Sequence, residues 1–158
     1  MLTTSNAHAS AGLGALMLLE TDTHAIVGCS FYAGATYSPC LTITWSAGAS
    51  AMAAHMMAFG RAGETPKQRM AQLAAGLGVL QGVVVDQHFE QRGRFGRLLA
   101  VVAQSPSLLG IGLDEDTSAI VYADRSMEVV GKGAVTVIDG SKVQTDAHQA
   151  KGHRPIMV

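Results

Sequence analysis

The chain has 158 residues, 48% of them hydrophobic and 15% charged, which fits one folded domain and excludes a disordered chain. Eleven Lys and Arg against twelve Asp and Glu give a net charge of −1, which excludes a general attraction to nucleic acid or to an acidic membrane. Two cysteines are too few for a disulfide framework and fit a reducing cytoplasm. The apolar run Leu13–Leu19 is too short to span a bilayer, so we expect a soluble protein.

The predicted elements alternate between strands and helices in the middle of the chain and are strands towards its end. In chain order they are a strand at Ala25–Gly28, a strand at Cys40–Trp45, a helix at Ala47–Phe59, a surface loop at Arg61–Gln72, a strand at Val83–Val85, a helix at Arg94–Gln104, and strands at Leu108–Leu113, Ala119–Ala123, Met127–Val130 and Ala134–Ile138. The polar residues after Gly140 are expected to be frayed. This order predicts an α/β fold with a mixed sheet that ends in a β-meander.

Ser46 lies where the predicted strand Cys40–Trp45 turns directly into the predicted helix Ala47–Phe59. A serine at such a turn can act as a nucleophile, because the turn raises its hydroxyl above the sheet. The backbone amide of Ala47 would open the helix and could stabilise an oxyanion. A serine in this position is more often only a helix N-cap, so this residue alone does not decide between the two roles.

His88 follows the predicted strand Val83–Val85 and lies within the run Asp86-Gln87-His88-Phe89. Imidazole is the usual general base for a serine nucleophile. The alternatives are a structural histidine or a metal ligand beside Asp86 and Glu90. A metal site is disfavoured because no cysteine or second histidine lies nearby with ligand spacing, and we expect no cofactor.

An acidic run, Asp114-Glu115-Asp116-Thr117, follows the predicted strand Leu108–Leu113. A carboxylate here could orient a histidine and stabilise its charged form. The alternative is an acidic turn that caps the next element. Because the ends of parallel strands meet at one edge of a sheet, we expect Ser46, His88 and one of these carboxylates to converge in one cleft.

Longer motifs surround these residues. They are Ser46-Ala47-Gly48-Ala49-Ser50-Ala51-Met52, Gly76-Leu77-Gly78, Asp86-Gln87-His88-Phe89, Gln91-Arg92-Gly93-Arg94, Leu109-Gly110-Ile111-Gly112-Leu113-Asp114-Glu115-Asp116-Thr117 and Gly133-Ala134-Val135-Thr136-Val137-Ile138-Asp139-Gly140. Together they resemble the cyanophycinases, serine peptidases related to dipeptidase E with a fold like that of class I glutamine amidotransferases. The resemblance implies a three-layer α/β sandwich with a mixed sheet, from which this chain would lack the N-terminal strands.

The resemblance also implies roles for individual residues. Ser46 would be the nucleophile, His88 the base and Glu115 the acidic partner. The implied substrate is cyanophycin, a poly-aspartate chain with an arginine on each β-carboxyl, and the implied products are β-Asp-Arg dipeptides. The residues that match the family's substrate pocket are Asp86, Gln87, Arg92, Arg94 and Arg97. A carboxylate suits a guanidinium and an arginine suits a carboxylate, although on charge alone the arginines could form a solvated helix face.

The resemblance divides the chain into an unmatched segment at residues 1–40, a catalytic portion at 41–140 and a polar tail at 141–158. Two interpretations remain open. One is an active serine-type exopeptidase that acts on cyanophycin; the other is a truncated fragment with weak or no activity that only binds or associates. An incomplete sheet would leave an apolar edge, so we expect a homodimer, and we expect neither nucleic acid nor a membrane as a partner.

Overall fold

The computed structural model describes residues 15–20, 26–30, 32–33, 36–37, 41–44, 48–122, 125–149 and 152–158. Within these residues the elements, in chain order, are β1 (Ala15–Glu20), β2 (Ile26–Ser30), β3 (Tyr32–Ala33), β4 (Thr36–Tyr37), β5 (Leu41–Thr44), α1 (Gly48–Ala51), β6 (His55–Gly60), β7 (Ala71–Ala75), β8 (Val83–Asp86), α2 (Phe95–Gln104), β9 (Leu109–Leu113), β10 (Thr117–Tyr122), β11 (Met127–Gly131) and β12 (Val135–Asp139). The predicted α/β class is confirmed, with mixed and antiparallel sheets and few helices. The more specific glutamine amidotransferase-like sandwich stays a prediction.

The largest sheet has five strands in the order β11-β10-β1-β2-β5, and every neighbouring pair in it is antiparallel. Its inner strands β1 and β2 come from the part of the chain that the sequence motifs left unmatched. On β11, an outer strand, Val129 is 46% exposed and Val130 is 49% exposed. The homodimer that an apolar edge suggested stays a prediction.

A smaller mixed sheet has the order β12-β9-β8. The strands β8 and β9 are parallel, with Val83 opposite Leu109 and Asp86 opposite Gly112. The helix α2 joins them, because parallel neighbours need a crossover connection. This is the one parallel strand pair among the described strands, and together with the antiparallel pair of β9 and β12 it makes this sheet mixed, as predicted.

The β-meander predicted for the end of the chain is wrong. The strands β10 and β11 form a hairpin in the large sheet, but β12 returns to the small sheet and pairs antiparallel with β9. The register places Val135 opposite Leu113 and Asp139 opposite Leu109. The final strand therefore covers the open side of β9 and leaves β11 without β12 as a neighbour.

The predicted helix at Ala47–Phe59 is wrong beyond residue 51, where α1 ends. Backbone groups that a longer helix would use are bonded to a later segment instead: Leu77 N–H donates to the Ala51 carbonyl (2.7 Å) and Leu80 N–H to the Met52 carbonyl (2.9 Å). The following residues form β6 and pair with β7. Alanine and methionine are strong helix formers, but intrinsic propensity amounts to less than about 1 kcal/mol per residue, and these tertiary hydrogen bonds override it.

The small sheet has an apolar cluster on each face. Adjacent strand residues point to opposite faces, so Val85 packs with α1 in one cluster, whereas Val84 packs with α2 in the other. The first cluster comprises Ala49, Met52, Ala53, Val85, Ile111, Leu113 and Ala119. The second comprises Met57, Val84, Phe89, Leu98, Val101 and Leu108. This two-sided burial fixes the strand ends that carry the candidate site.

The C-terminal tail is not frayed as predicted. Ala147 and Ile156 are buried and pack with Met70 and with two alanines of α2, Ala100 and Ala103. The Ile156 N–H donates to the Pro66 carbonyl at 2.9 Å. Two apolar residues within a polar stretch thus anchor the tail.

Among the described helices, none is long and apolar enough to cross a membrane.

Candidate active site

His88 and Glu115 lie in the loops that follow the parallel strands β8 and β9. Since Asp86 is level with Gly112 in the sheet, both loops leave the same edge. His88 Nδ1 is 2.7 Å from Glu115 Oε1, a hydrogen-bond distance. The predicted convergence of a histidine and a carboxylate is therefore observed for this pair.

The three carboxylates of the acidic run have different surroundings. Asp114 is 4% exposed and accepts hydrogen bonds from the Glu90 and Ala134 N–H groups at 3.0 and 2.9 Å. Asp116 pairs at the surface with Lys132, at 2.9 Å. Of the three, Glu115 is the one that contacts the imidazole in this structure, whereas the residues alone left the choice among them open.

Asp114 is a supporting residue, a role close to the capping alternative that the sequence analysis gave for the acidic run. Its two oxygens join the loop after β8 to the start of β12 and hold the backbone immediately before Glu115. The Gln91 side chain adds to this by accepting a hydrogen bond from the Glu115 N–H at 3.1 Å. Gln91 was missed as a supporting residue, and its sequence signal is that it lies inside the motifs that carry the family resemblance.

Asp86 and Arg97 form a buried ion pair. Asp86 is 0% exposed and Arg97 is 5% exposed. Arg97 Nε donates to Asp86 Oδ2 at 2.5 Å, Nη2 donates to Oδ1, and Nη1 donates to the Gly60 carbonyl at 3.1 Å. Direct substrate contact by these two residues is therefore not supported, because each is occupied by the other inside the protein.

Arg94 and Gln87 continue this network towards the histidine. Arg94 Nη1 donates to both the main-chain and the side-chain oxygen of Gln87, the residue before His88. Gln87 is 9% exposed, whereas Arg92 is exposed to solvent. Substrate contact by Gln87, Arg92 and Arg94 stays a prediction, and Arg92 is the most accessible of the three.

The predicted nucleophile Ser46 and the predicted oxyanion residue Ala47 lie outside the described residues. The structure gives the elements on either side: β5 ends at Thr44 and α1 begins at Gly48. A strand before this position and a helix after it are as predicted. The roles of both residues stay predictions.

Burial is the largest influence on the pKa of His88 and lowers it below the ordinary value of 6.5. The hydrogen bond with Glu115 raises it in partial opposition, and the nearby charges of Arg92 and Arg94 lower it again. The net direction is downward, which favours the neutral ring that can accept a proton. In the described part of the chain, no three His, Cys, Asp or Glu side chains are grouped to hold a metal ion.

We expect an NMR titration to give His88 a midpoint below 6.5, and we expect Arg92→Gln to raise that midpoint by removing a repulsive charge. The His88 signal is identified by its loss in His88→Gln. Arg125→Gln, which removes an exposed arginine elsewhere, should leave the midpoint unchanged. Because the folded pKa is below the unfolded one, stability from this group is present above about pH 6.5 and lost as the pH falls through the folded value. A wild-type midpoint at or above 6.5 would contradict the prediction.

Comparisons with known proteins confirm the resemblance predicted from the sequence motifs. A cyanophycinase from Geminocystis herdmanii is 47% identical over 103 residues, which are 65% of this chain and 38% of that protein. Cyanophycinases from Trichormus variabilis and Synechococcus elongatus are each 45% identical, over 114 and 94 residues, or 72% and 60% of this chain. The chain spans 38% and 29% of those two relatives. No family model matches the chain.

Proposed function

We propose that this chain, which is homologous to curated cyanophycinases over about two thirds of its length, is a serine-type exopeptidase that hydrolyses cyanophycin to β-Asp-Arg dipeptides. The observation that carries the proposal is the 2.7 Å contact between His88 Nδ1 and Glu115 Oε1. In the triad of a serine peptidase, the histidine is the general base, and a carboxylate holds it in this way. Ser46, at the junction of β5 and α1, completes the triad in the proposal.

In the proposed acylation step, Ser46 Oγ attacks the carbonyl carbon of the scissile bond, and His88 Nε2 takes the hydroxyl proton. The carbonyl oxygen becomes an oxyanion, which the Ala47 N–H stabilises. The intermediate collapses by breaking the scissile C–N bond, and the leaving nitrogen takes the proton from His88. Glu115 holds the ring by Nδ1 throughout and stabilises the imidazolium that forms between the two transfers.

In the proposed deacylation step, a water molecule attacks the acyl-enzyme carbonyl and His88 Nε2 accepts its proton. The bond to Ser46 Oγ breaks, and His88 returns the proton to that oxygen. A neutral histidine at pH 7 suits this cycle, because it begins each half as a base. The downward shift in the pKa of His88 supports this starting state.

The positive charges around His88 support a substrate that bears carboxylates. In the proposal, exposed Arg92 binds a substrate carboxylate, and Arg94 and Gln87 contribute to the same wall of the site. Asp86 acts indirectly, because its carboxylate holds Arg97 and lies 3.4 Å from Arg94 Nη1. The buried pair therefore fixes the position of the segment that carries the substrate-facing groups.

The test is the release of β-Asp-Arg from purified cyanophycin by the wild-type chain and by Ser46→Ala. We expect Ser46→Ala to lower turnover by about 10⁴–10⁶-fold, because the nucleophile is lost. Ser107→Ala, which truncates an exposed serine after α2, is the matched control and should retain full turnover. Equal release by the wild type and Ser46→Ala would refute the serine mechanism. No release by either protein would favour the alternative that the chain only binds or associates.

A further inference from the structure

A cavity of about 510 Å³ lies against the hairpin formed by β6 and β7, apart from the His88–Glu115 pair. The side chains that give it its chemistry are Phe59, Arg61, Lys67, Arg69, Gln72 and His153. None of the residues lining it is an aspartate or a glutamate. It is therefore a positively charged groove, and it contrasts with the net charge of −1 of the chain as a whole.

The three permanent cations of this groove, Arg61, Lys67 and Arg69, are exposed to solvent. Among the described residues, none of them forms an ion pair with a carboxylate.

The groove is held in place by the C-terminal tail. Lys67 and Pro155 form an isolated antiparallel β-bridge, and the Gln68 N–H donates to the Arg154 carbonyl at 3.0 Å. Buried Ile156 anchors the tail on the other side of this bridge. The backbone segment that carries the cations is therefore hydrogen bonded to the tail.

The loop that joins β6 to β7 is also hydrogen bonded to the segment that follows His88. The Gly63 N–H donates to the Gly93 carbonyl (2.8 Å), and the Gly96 N–H donates to the Gly63 carbonyl (2.9 Å). Gly60, which lines the groove, accepts a hydrogen bond from Arg97. The groove and the turn that carries Arg92 therefore belong to one hydrogen-bonded unit.

We propose that this groove is a second binding site for the polymer substrate and holds a cyanophycin segment other than the unit being cleaved; the proposal rests on the proposed function. Each repeat of that polymer carries a free arginine carboxylate and a guanidinium. Arg61, Lys67 and Arg69 match the carboxylates, because ammonium and guanidinium groups form charge-assisted hydrogen bonds with them. Phe59, which is 62% exposed, offers a ring face on which a guanidinium stacks.

The groove would contribute to binding because one polymer chain could be held both there and at the cleavage site. When one segment of the polymer is bound there, the cleavage site meets another segment of the same polymer chain as an intramolecular partner at high effective concentration. The groove therefore raises affinity for a long chain and does nothing for a substrate too short to reach it. Since the contacts are between exposed charges, added salt should weaken them.

The experiment compares Arg61→Gln/Arg69→Gln with Arg125→Gln/Lys142→Gln, a matched control that removes two exposed cations elsewhere. In a Ser46→Ala background, which removes the proposed nucleophile, co-sedimentation with cyanophycin measures binding alone. We expect the groove variant to bind about five- to tenfold more weakly at low salt and the control to bind as before. Lys67→Gln is a second, independent variant and should show a smaller loss, and thermal melts verify that every variant is folded.

In the active background, we expect the groove variant to raise KM for the polymer and to leave kcat/KM for a trimer of β-Asp-Arg units unchanged. Equal losses on both substrates, or unchanged binding of the polymer, would overturn the groove proposal. Equal groove-dependent binding of poly-glutamate or DNA would also overturn it, because the site would then recognise charge alone. If Ser46→Ala does not reduce turnover, the proposed mechanism fails while the co-sedimentation result still decides the groove.

Discussion

Replacing Glu115 with glutamine should lower the turnover of cyanophycin by about 10³–10⁴-fold, with little change in stability. The reason is that His88 Nδ1 is 2.7 Å from Glu115 Oε1, and an amide neither enforces the required tautomer nor stabilises the imidazolium formed during proton transfer. Glu115 is partly exposed, so the fold does not depend on burying its charge. The measurement is kcat for β-Asp-Arg release, together with a thermal melt.

The control for this substitution is Glu90→Gln, the same chemical change at an exposed glutamate on the neighbouring loop. The Glu90 backbone N–H donates a hydrogen bond to Asp114, and the substitution leaves this N–H intact. We expect it to change turnover less than threefold. If Glu115→Gln retained a tenth or more of the wild-type turnover, the assignment of Glu115 as the acidic partner would be wrong.

Replacing Asp86 with alanine should destabilise the protein by about 3–5 kcal/mol, because it leaves the Arg97 guanidinium buried without its partner. Asp86 has no exposed surface, and its carboxylate accepts hydrogen bonds from Arg97 and from the Gln87 N–H. Urea-induced unfolding at pH 7 measures the loss. We expect catalytic activity to fall as well, since Gln87 and His88 directly follow the lost anchor.

Two further variants separate this effect from a general loss of charge. Asp116→Asn breaks an ion pair with Lys132, whose side chain is 84% exposed, and should cost about 0–1 kcal/mol. Asp86→Ala/Arg97→Met removes both buried charges and should recover part of the loss caused by Asp86→Ala. A loss below about 1 kcal/mol for Asp86→Ala, or no recovery in the double variant, would contradict the account of a buried, mutually dependent pair.

The sequence determined the elements whose patterns agree with their tertiary surroundings. The apolar run Val83–Val85 and the run Leu108–Leu113 are strands as predicted, because continuous apolar residues suit strands that are covered on both faces. The helix before Pro106 is also where the sequence placed it, because proline ends a helix and the preceding residues favour one. His88 and the acidic run could be identified as candidate partners because each follows one of these strands.

The tertiary structure decided what no local pattern encodes. It ended the helix at residue 51, because the backbone groups of Ala51 and Met52 bond to residues 77 and 80. It paired β12 with β9 and so removed the expected meander. It also separated the charges by burial: Glu115 meets the histidine, Asp114 clamps two backbone segments, and Asp86 holds Arg97. Neighbouring carboxylates look alike in a sequence, and only their positions relative to distant donors and solvent assign their roles.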